Sequence, residues 1–447
     1  MDQIKDNFLK IVKLAEDKKA QVELLYSESE KLNLGYKKNK LDKFESIQSQ
    51  IAGLRVIIGS SQGYAYTENL SEASLLNTFS EAFNNAQANA LSADKTNKPL
   101  NLVKPTSLKV ADPKFSEIPI AEKKAVAEKL ESQCLSQDKI QSVPWAGFTE
   151  SQGAVRVLNS AGVDCKYKFQ YYSAYAYPLA KDGESSKMGG ESMISRDFKD
   201  INVNHITSEA VKRAKEKLNA KTLKTGNYAT IITSDEFVTM INMFESYFSA
   251  KQVFEGKSLL KGKIGSIIAS PLFTLVDNPL EESLPGYRPF DSEGATSLKT
   301  TLIDQGEFKT FITNLEYSEK MNLPHTAHAA RSPAGTMSIG CSNLIVPAGK
   351  DSIEELITKN KATVVITEFT GGLHAGYNET TGEFSMPAEG LLYEDGKLVG
   401  PVDQFVVSGN ILETLKKITA LSNKLNNGSS GRMCPDVLIS ELSFAGA

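Results

Sequence analysis

A chain of 447 residues, 40% hydrophobic and 23% charged, exceeds the usual size of one core and is apolar enough to build two. Fifty Lys and Arg against 54 Asp and Glu give a net charge of −4, with a pI near 5.8. That balance argues against a protein that works by neutralising a phosphate backbone, so nucleic acid is not an expected partner.

The N-terminal MDQIKDNFLKIVKLAEDKKAQ lacks the apolar core of a signal peptide, and no run of eighteen apolar residues follows, so a cytoplasmic protein is expected. Ile4, Phe8, Ile11 and Val12 recur at helical spacing and predict a helix over 2–18. Short β-like runs follow at 22–26, 32–36, 44–51, 54–58 and 64–67, with a hairpin loop at 59–63. Residues 71–90 read as a capped helix. The stretch 93–118, with Pro99, Pro105 and Pro113, reads as an extended connector. A helix is predicted over 121–134, strands over 142–150, 154–159, 165–177 and 191–195, and a helix over 208–219.

The segment AKTLKTGN at 220–227 divides the chain into an N-terminal α+β domain, 1–220, and a strand-rich C-terminal domain, 221–447. Beyond it lie a strand at 228–233, a helix over 235–250, and strands turning at Asp304–Gly306 and Asp395–Gly396. Strands in runs with few intervening helices predict an α+β fold with largely antiparallel sheets.

Several motifs invite chemistry. Gly256-Lys-Ser258 lacks the upstream glycine of a phosphate loop, since Lys251 stands there. His325, His328 and Cys341 offer N, N and S donors of the kind zinc accepts, or alternatively form a loop after Pro324; HExxH is absent. Cys134, Cys165, Cys341 and Cys434 show no CxxC spacing and read as reduced, separately packed thiols. Carboxylates pair at Asp235-Glu236, Glu281-Glu282 and Asp291–Glu293, the last beside rigidifying neighbours in RPFDSEGATS. In KYKFQYYSAYAYP, Tyr167, Phe169 and Tyr171 share a face, with Tyr172, Tyr175 and Tyr177 offset. Such a strip could hold a peptide or stack on bases, or simply be a half-buried sheet face.

Four stretches together resemble the TldD/PmbA family: IAGLRVIIGSSQGYAYTENL at 51–70, GKIGSIIASPLFTLVDNP at 262–279, PFDSEGATSLKTTLIDQGEFKTFITNLEYSEKM at 289–321, and the glycine-rich 366–410 block. The resemblance implies a two-domain cytosolic protein linked to peptide breakdown and maturation, in a family once labelled modulator of DNA gyrase. In the catalytic TldD branch, the histidines of HExxxH bind zinc, its glutamate is the general base, and a C-terminal cysteine completes the site. Counting back from Lys261-Gly-Lys263 places that motif over INMFES, with Ile241 and Ser246 replacing the histidines and Asn242 the glutamate. Isoleucine has no lone pair to give, serine is a poor neutral ligand, and asparagine cannot take a proton from water. Cys434 matches the cysteine ligand without its partners.

The chain therefore looks like the PmbA/TldE branch, with no catalytic residue or metal of its own and zinc in a TldD-type partner. A dimer with that partner, or with itself, would admit unfolded peptide. Gly371, Gly372 and Gly376 would allow a peptide backbone to approach closely, and His374 and Arg331 would supply polar contacts. Two alternatives remain open: a stand-alone hydrolase using His325, His328 and Cys341, and a gyrase- or nucleic-acid-associated regulator.

Overall fold

The computed structural model describes residues 2–92, 98–106, 110, 115–371 and 376–447. Helix α1, Gln3–Asp17, starts where the Asp2 carboxylate accepts the amide of Lys5, and it buries Phe8, Ile11 and Ala15. The strands β1, Gln21–Lys37, β2, Lys40–Ile58, and β3, Ser61–Thr67, form an antiparallel meander. After α2, Glu72–Ser92, and α3, Ile120–Leu135, come β4, Ile140–Asn159, and β5, Asp164–Asp182. Two short strands, β6, Ser185–Met188, and β7, Glu191–Ser195, both pair with β5. The sheet order is β3-β2-β1-β4-β5-β6.

Four runs expected as separate strands are thus two long ones, and the pieces at 142–150 and 154–159 are one strand, β4. Of the expected connector, residues 93–97, 107–109 and 111–114 lie outside the described residues. Leu100 and Leu102 of the remainder pack on Ile57.

The two faces of this sheet differ. Even-numbered positions carry the core: Val22, Leu24, Leu54 and Val56 pack under α1 and α2, and Phe148, Tyr172 and Ala174 under α3 and α4, Val203–Glu216. Odd-numbered positions of β1, β2, β4 and β5 face away from these four helices, and Leu25 and Val157 there meet Phe290 of the second domain. Beyond Ile51, β2 loses its outer neighbour, so residues 40–50 form an exposed edge that includes Leu41, Phe44 and Ile47.

The second domain contains β8, Lys221–Thr222, and β9, Gly226–Ile232. Strand β9 runs parallel to Ala362–Phe369 and antiparallel to Pro435–Ala445. Glu383–Glu394 pairs with both Ala362–Phe369 and Lys397–Asn410, and Lys397–Asn410 pairs with Pro435–Ala445, which closes a ring of five strands. A smaller five-stranded sheet includes Leu275–Asp277 and Thr300–Asp304. This is the expected α+β architecture of antiparallel sheets with packed helices.

Helix α5, Ser234–Phe244, sits in the largest core and buries Phe237, Met240, Ile241, Met243 and Phe244. Each such side chain contributes roughly 1.5–3 kcal/mol of apolar burial. The helix expected over 235–250 breaks here: a 3₁₀ turn, Glu245–Phe248, is followed by Ser249 in extended geometry and a new helix, Ala250–Phe254. Ile312 N–H donates to the carbonyl of Phe248, and Ala250 N–H donates to that of Ile312. That exchange pulls the chain out of helical geometry.

Candidate functional site

The residues that the resemblance sets against the zinc motif, Ile241, Asn242 and Ser246, do not assemble a donor set. Ile241 is wholly buried in the core, while Asn242, one residue on, is exposed. Ser246 lies in the 3₁₀ turn, and its hydroxyl donates to Glu379 Oε1 at 2.6 Å. Tyr247 next to it donates to the Glu379 carbonyl at 2.5 Å and meets the Tyr377 hydroxyl, stitching this turn to the strand Tyr377–Asn378. Glu245, the nearest carboxylate, is paired with Arg432. Cys434 does approach α5, but at its first turn: the buried Sγ donates to the Ser234 carbonyl at 3.1 Å. Burial raises its thiol well above the usual cysteine range. Zinc does not fit these residues.

The two carboxylates at the start of α5 have different surroundings, and Asp235 is partly exposed. Asp235 pairs with Arg213 at 2.8 Å, linking the domains. Glu236 accepts the amide of Phe369 at 2.9 Å and is pushed up to about 7, chiefly by burial, with Glu368 and Asp235 adding to the shift. Glu236 therefore carries a proton near neutrality in a spot two residues before Gly371. Composition gave no signal for this, because Phe369 and Glu368 come to it through the parallel pairing of β9.

A second cluster lies where the first sheet meets the second domain. Arg55 Nη1, from β2, reaches Glu293 Oε1 at 2.8 Å and Glu23 Oε2 at 3.6 Å, and Arg331 Nη2 reaches Glu23 Oε1 at 3.0 Å. All four side chains are at most 2% exposed. Asp291 accepts the amides of Glu293, Ala295 and Ala329, and it is pushed up to about 7 by burial and by the charge of Glu293.

Donor atoms of Asp291, Glu293 and His325 lie within 4.8 Å of one another, and His325 Nε2 is buried without a hydrogen-bond partner. One nitrogen and two oxygens suit several divalent ions. Much of that capacity is already taken, since Glu293 also accepts the Leu315 amide at 3.0 Å.

The other expected residues are placed as follows. His325, His328 and Cys341 do not form one ligand set. His328 is wholly buried, with Nε2 2.8 Å from Asp277 Oδ2 and Nδ1 2.7 Å from the Thr326 carbonyl, so both nitrogens face acceptors. Arg331 is spent on Glu23 within the protein. Gly371 is exposed with φ 92°, a conformation that favours glycine. A Cβ on Gly376 would lie 2.0 Å from the Ser385 carbonyl, so that glycine serves its own neighbouring strand. Gly372 and His374 lie outside the described residues.

Models of three metallopeptidase domains cover most of the chain: PmbA/TldA domain 1 over 22–86, the central domain over 113–218 and the C-terminal domain over 225–446. The chain belongs to the PmbA/TldD family. It is 26% identical over 301 residues to a "Metalloprotease PmbA homolog" of Buchnera aphidicola from Acyrthosiphon pisum, an alignment spanning 67% of this chain and 65% of that one. It is 21% identical to "Metalloprotease PmbA" of Escherichia coli O157:H7 over 97% of this chain and 94% of that one. The fold matches the crystal structure of TldE from Thermococcus kodakarensis with a TM-score of 0.87 at 20% identity, covering 98% of this chain and all of that one. A Thermotoga maritima protein, described as a suggested modulator of a DNA gyrase, matches with a TM-score of 0.88 at 24% identity, over 99% of this chain and all of that one. Among the described residues, no helix is long and apolar enough to cross a membrane.

Proposed function

We propose that this chain is the TldE-like, non-metal subunit of a TldD/TldE-type zinc peptidase that acts on unfolded peptides in the cytoplasm. One observation carries the reading: where the catalytic branch of the family grips zinc, this chain offers a core isoleucine, an exposed amide and a hydroxyl committed to Glu379. A peptidase chemistry then has to come from a partner, and the role left to this chain is to complete the enclosure and present peptide. The Gly371–Gly376 segment and its His374 would contact the peptide backbone. Arg331 could join them only if its pair with Glu23 opened.

The test is co-purification with a TldD-type protein, followed by peptidase assays of each chain alone and of both together. Activity that requires both is expected. Strong, chelator-sensitive activity of this chain alone would overturn the reading. The Asp291, Glu293 and His325 grouping supports a second reading, a metal-dependent hydrolase in its own right. Elemental analysis of the purified chain separates the two, because stoichiometric metal lost in Asp291→Asn would favour the second.

A further inference from the structure

The strip of aromatic side chains on β5 is more extensive than its sequence suggests. The pairing of β5 with β4 runs without interruption from Asp164 to Tyr177, so odd positions stay on one face throughout. Tyr175 and Tyr177 are therefore in line with Tyr167, Phe169 and Tyr171, not offset from them; only Tyr172 lies on the opposite, helix-covered face. Trp145, the one tryptophan of the chain, stands opposite Tyr177. This is the face opposite α1, α2, α3 and α4. Tyr167, Phe169, Tyr171 and Tyr175 are half-buried, Tyr177 is 37% exposed and Trp145 58%.

Three of the rings lie down over glycines of neighbouring strands. A Cβ on Gly147 would meet Tyr175 Oη at 2.8 Å, one on Gly153 would meet Phe169 Cζ at 2.9 Å, and one on Gly190 would meet Tyr177 Cε1 at 2.1 Å. Phe169 also stacks on Tyr171, and Tyr175 leans on Tyr177, which the Trp145 ring meets edge to face, so the rings form two aromatic pairs along the strand, the second joined by Trp145. The strip ends at two contacts with the second domain. Tyr167 packs edge-on to Phe290 at 5.2 Å, and beside Gly190 the Glu191 carboxylate shares Arg213 with Asp235 at the start of α5. It therefore lines the space between the domains and leads towards α5.

We propose that this face binds an extended peptide through its aromatic or other large apolar side chains, an inference that rests on the peptide-handling reading above. The spacing fits: ring centroids of Phe169 and Tyr171 are 5.9 Å apart and those of Tyr175 and Tyr177 6.0 Å. An extended chain repeats same-side residues about every 6.5–6.8 Å. Ser151, opposite Tyr171 on the same face of β4, puts a hydroxyl beside the rings for a peptide backbone, while the Thr149 hydroxyl donates to Asn33 at 3.0 Å. A single-stranded nucleic acid would also stack, but it needs cations to follow its phosphates. Here Lys43 is paired with Glu45 at 3.0 Å, and Arg196 lies over Tyr171 and Tyr287.

The test uses the full chain without partner and a fluorescein-labelled, tryptophan-free decapeptide with phenylalanine at alternate positions. Its alanine counterpart and a labelled oligo(dT) serve as competitors for the same face. Saturable anisotropy is expected for the phenylalanine peptide, about tenfold weaker binding for the alanine peptide and for Tyr171→Ala or Trp145→Ala, and near-native affinity for Tyr171→Phe. Circular dichroism establishes that the variants fold. Equal binding of the alanine peptide, unchanged affinity in folded Tyr171→Ala and Trp145→Ala, or tighter binding of oligo(dT) would each overturn the proposal. A chain that binds the phenylalanine peptide in this way yet never supports a TldD-type partner sustains this inference and sinks the subunit reading instead.

Discussion

The turn after α5 and the cluster around Arg55 are opposites. The first stands where the family resemblance places metal donors, and there Ile241 has joined the core. The second gathers three carboxylates and an imidazole, and also the two guanidinium groups and the amides that satisfy much of them. The comparison teaches that a site is defined by free lone pairs, not by donor residues. A carboxylate that accepts three amides, as Asp291 does, is mainly a device for fixing a turn.

The largest effect that could break this contrast is expected from Arg55→Met. Removing the guanidinium leaves the buried Glu293 without its charge partner and Glu23 with Arg331 alone, and it should cost about 3–5 kcal/mol in urea unfolding. A loss below about 1 kcal/mol would mean that a cation or water already balances the cluster. Ile241→Ala comes next, at about 3 kcal/mol, because the wholly buried side chain would leave a cavity. A negligible loss would place this residue outside the core and reopen the register of the zinc motif.

The third expected effect is a pH dependence. Burial lifts Glu236 from an ordinary value of 4.5 to about 7, so between those values the folded chain holds a proton that the unfolded chain has released. Stability therefore falls as pH rises through that window, by about 3 kcal/mol for this group. Glu236→Gln should remove that share of the slope, leaving the slope from Asp291, which has the same sign. The smallest effect is expected from Ser246→Ala, about 1 kcal/mol or less, since only a hydroxyl-to-Glu379 bond at the surface is lost.

Much of the fold was legible where one face of an element is dry. Helix α1 and helix α3 follow their apolar spacing, and the turns at Gly306 and Gly396 sit at the positive φ their glycines permit. The middle of β1 was not legible. Ser27-Glu28-Ser29-Glu30-Lys31 reads as a break because both faces there are at least partly wet and only the ladders to β2 and β4 hold it extended. The missing histidines of the zinc motif could be read directly. The partners of Asp291 and Glu293 could not, since Arg55 and His325 reach them across 238 residues of chain in one case and a loop in the other. Nor could the full length of the aromatic strip, which depends on β5 keeping its register past Ser173.

The unpaired edge of β2 has a practical consequence for handling the protein. Phe44, 51% exposed, and Ile47, 48% exposed, lie along backbone groups that no strand among the described residues covers, and Lys40, Asp42, Lys43 and Glu45 are the charges that discourage a second chain from docking there. At about 1 M salt the reach of those charges shrinks to about 3 Å. Concentrated samples should then become turbid first along this margin, and dilute, low-salt buffers are the safer choice for storage.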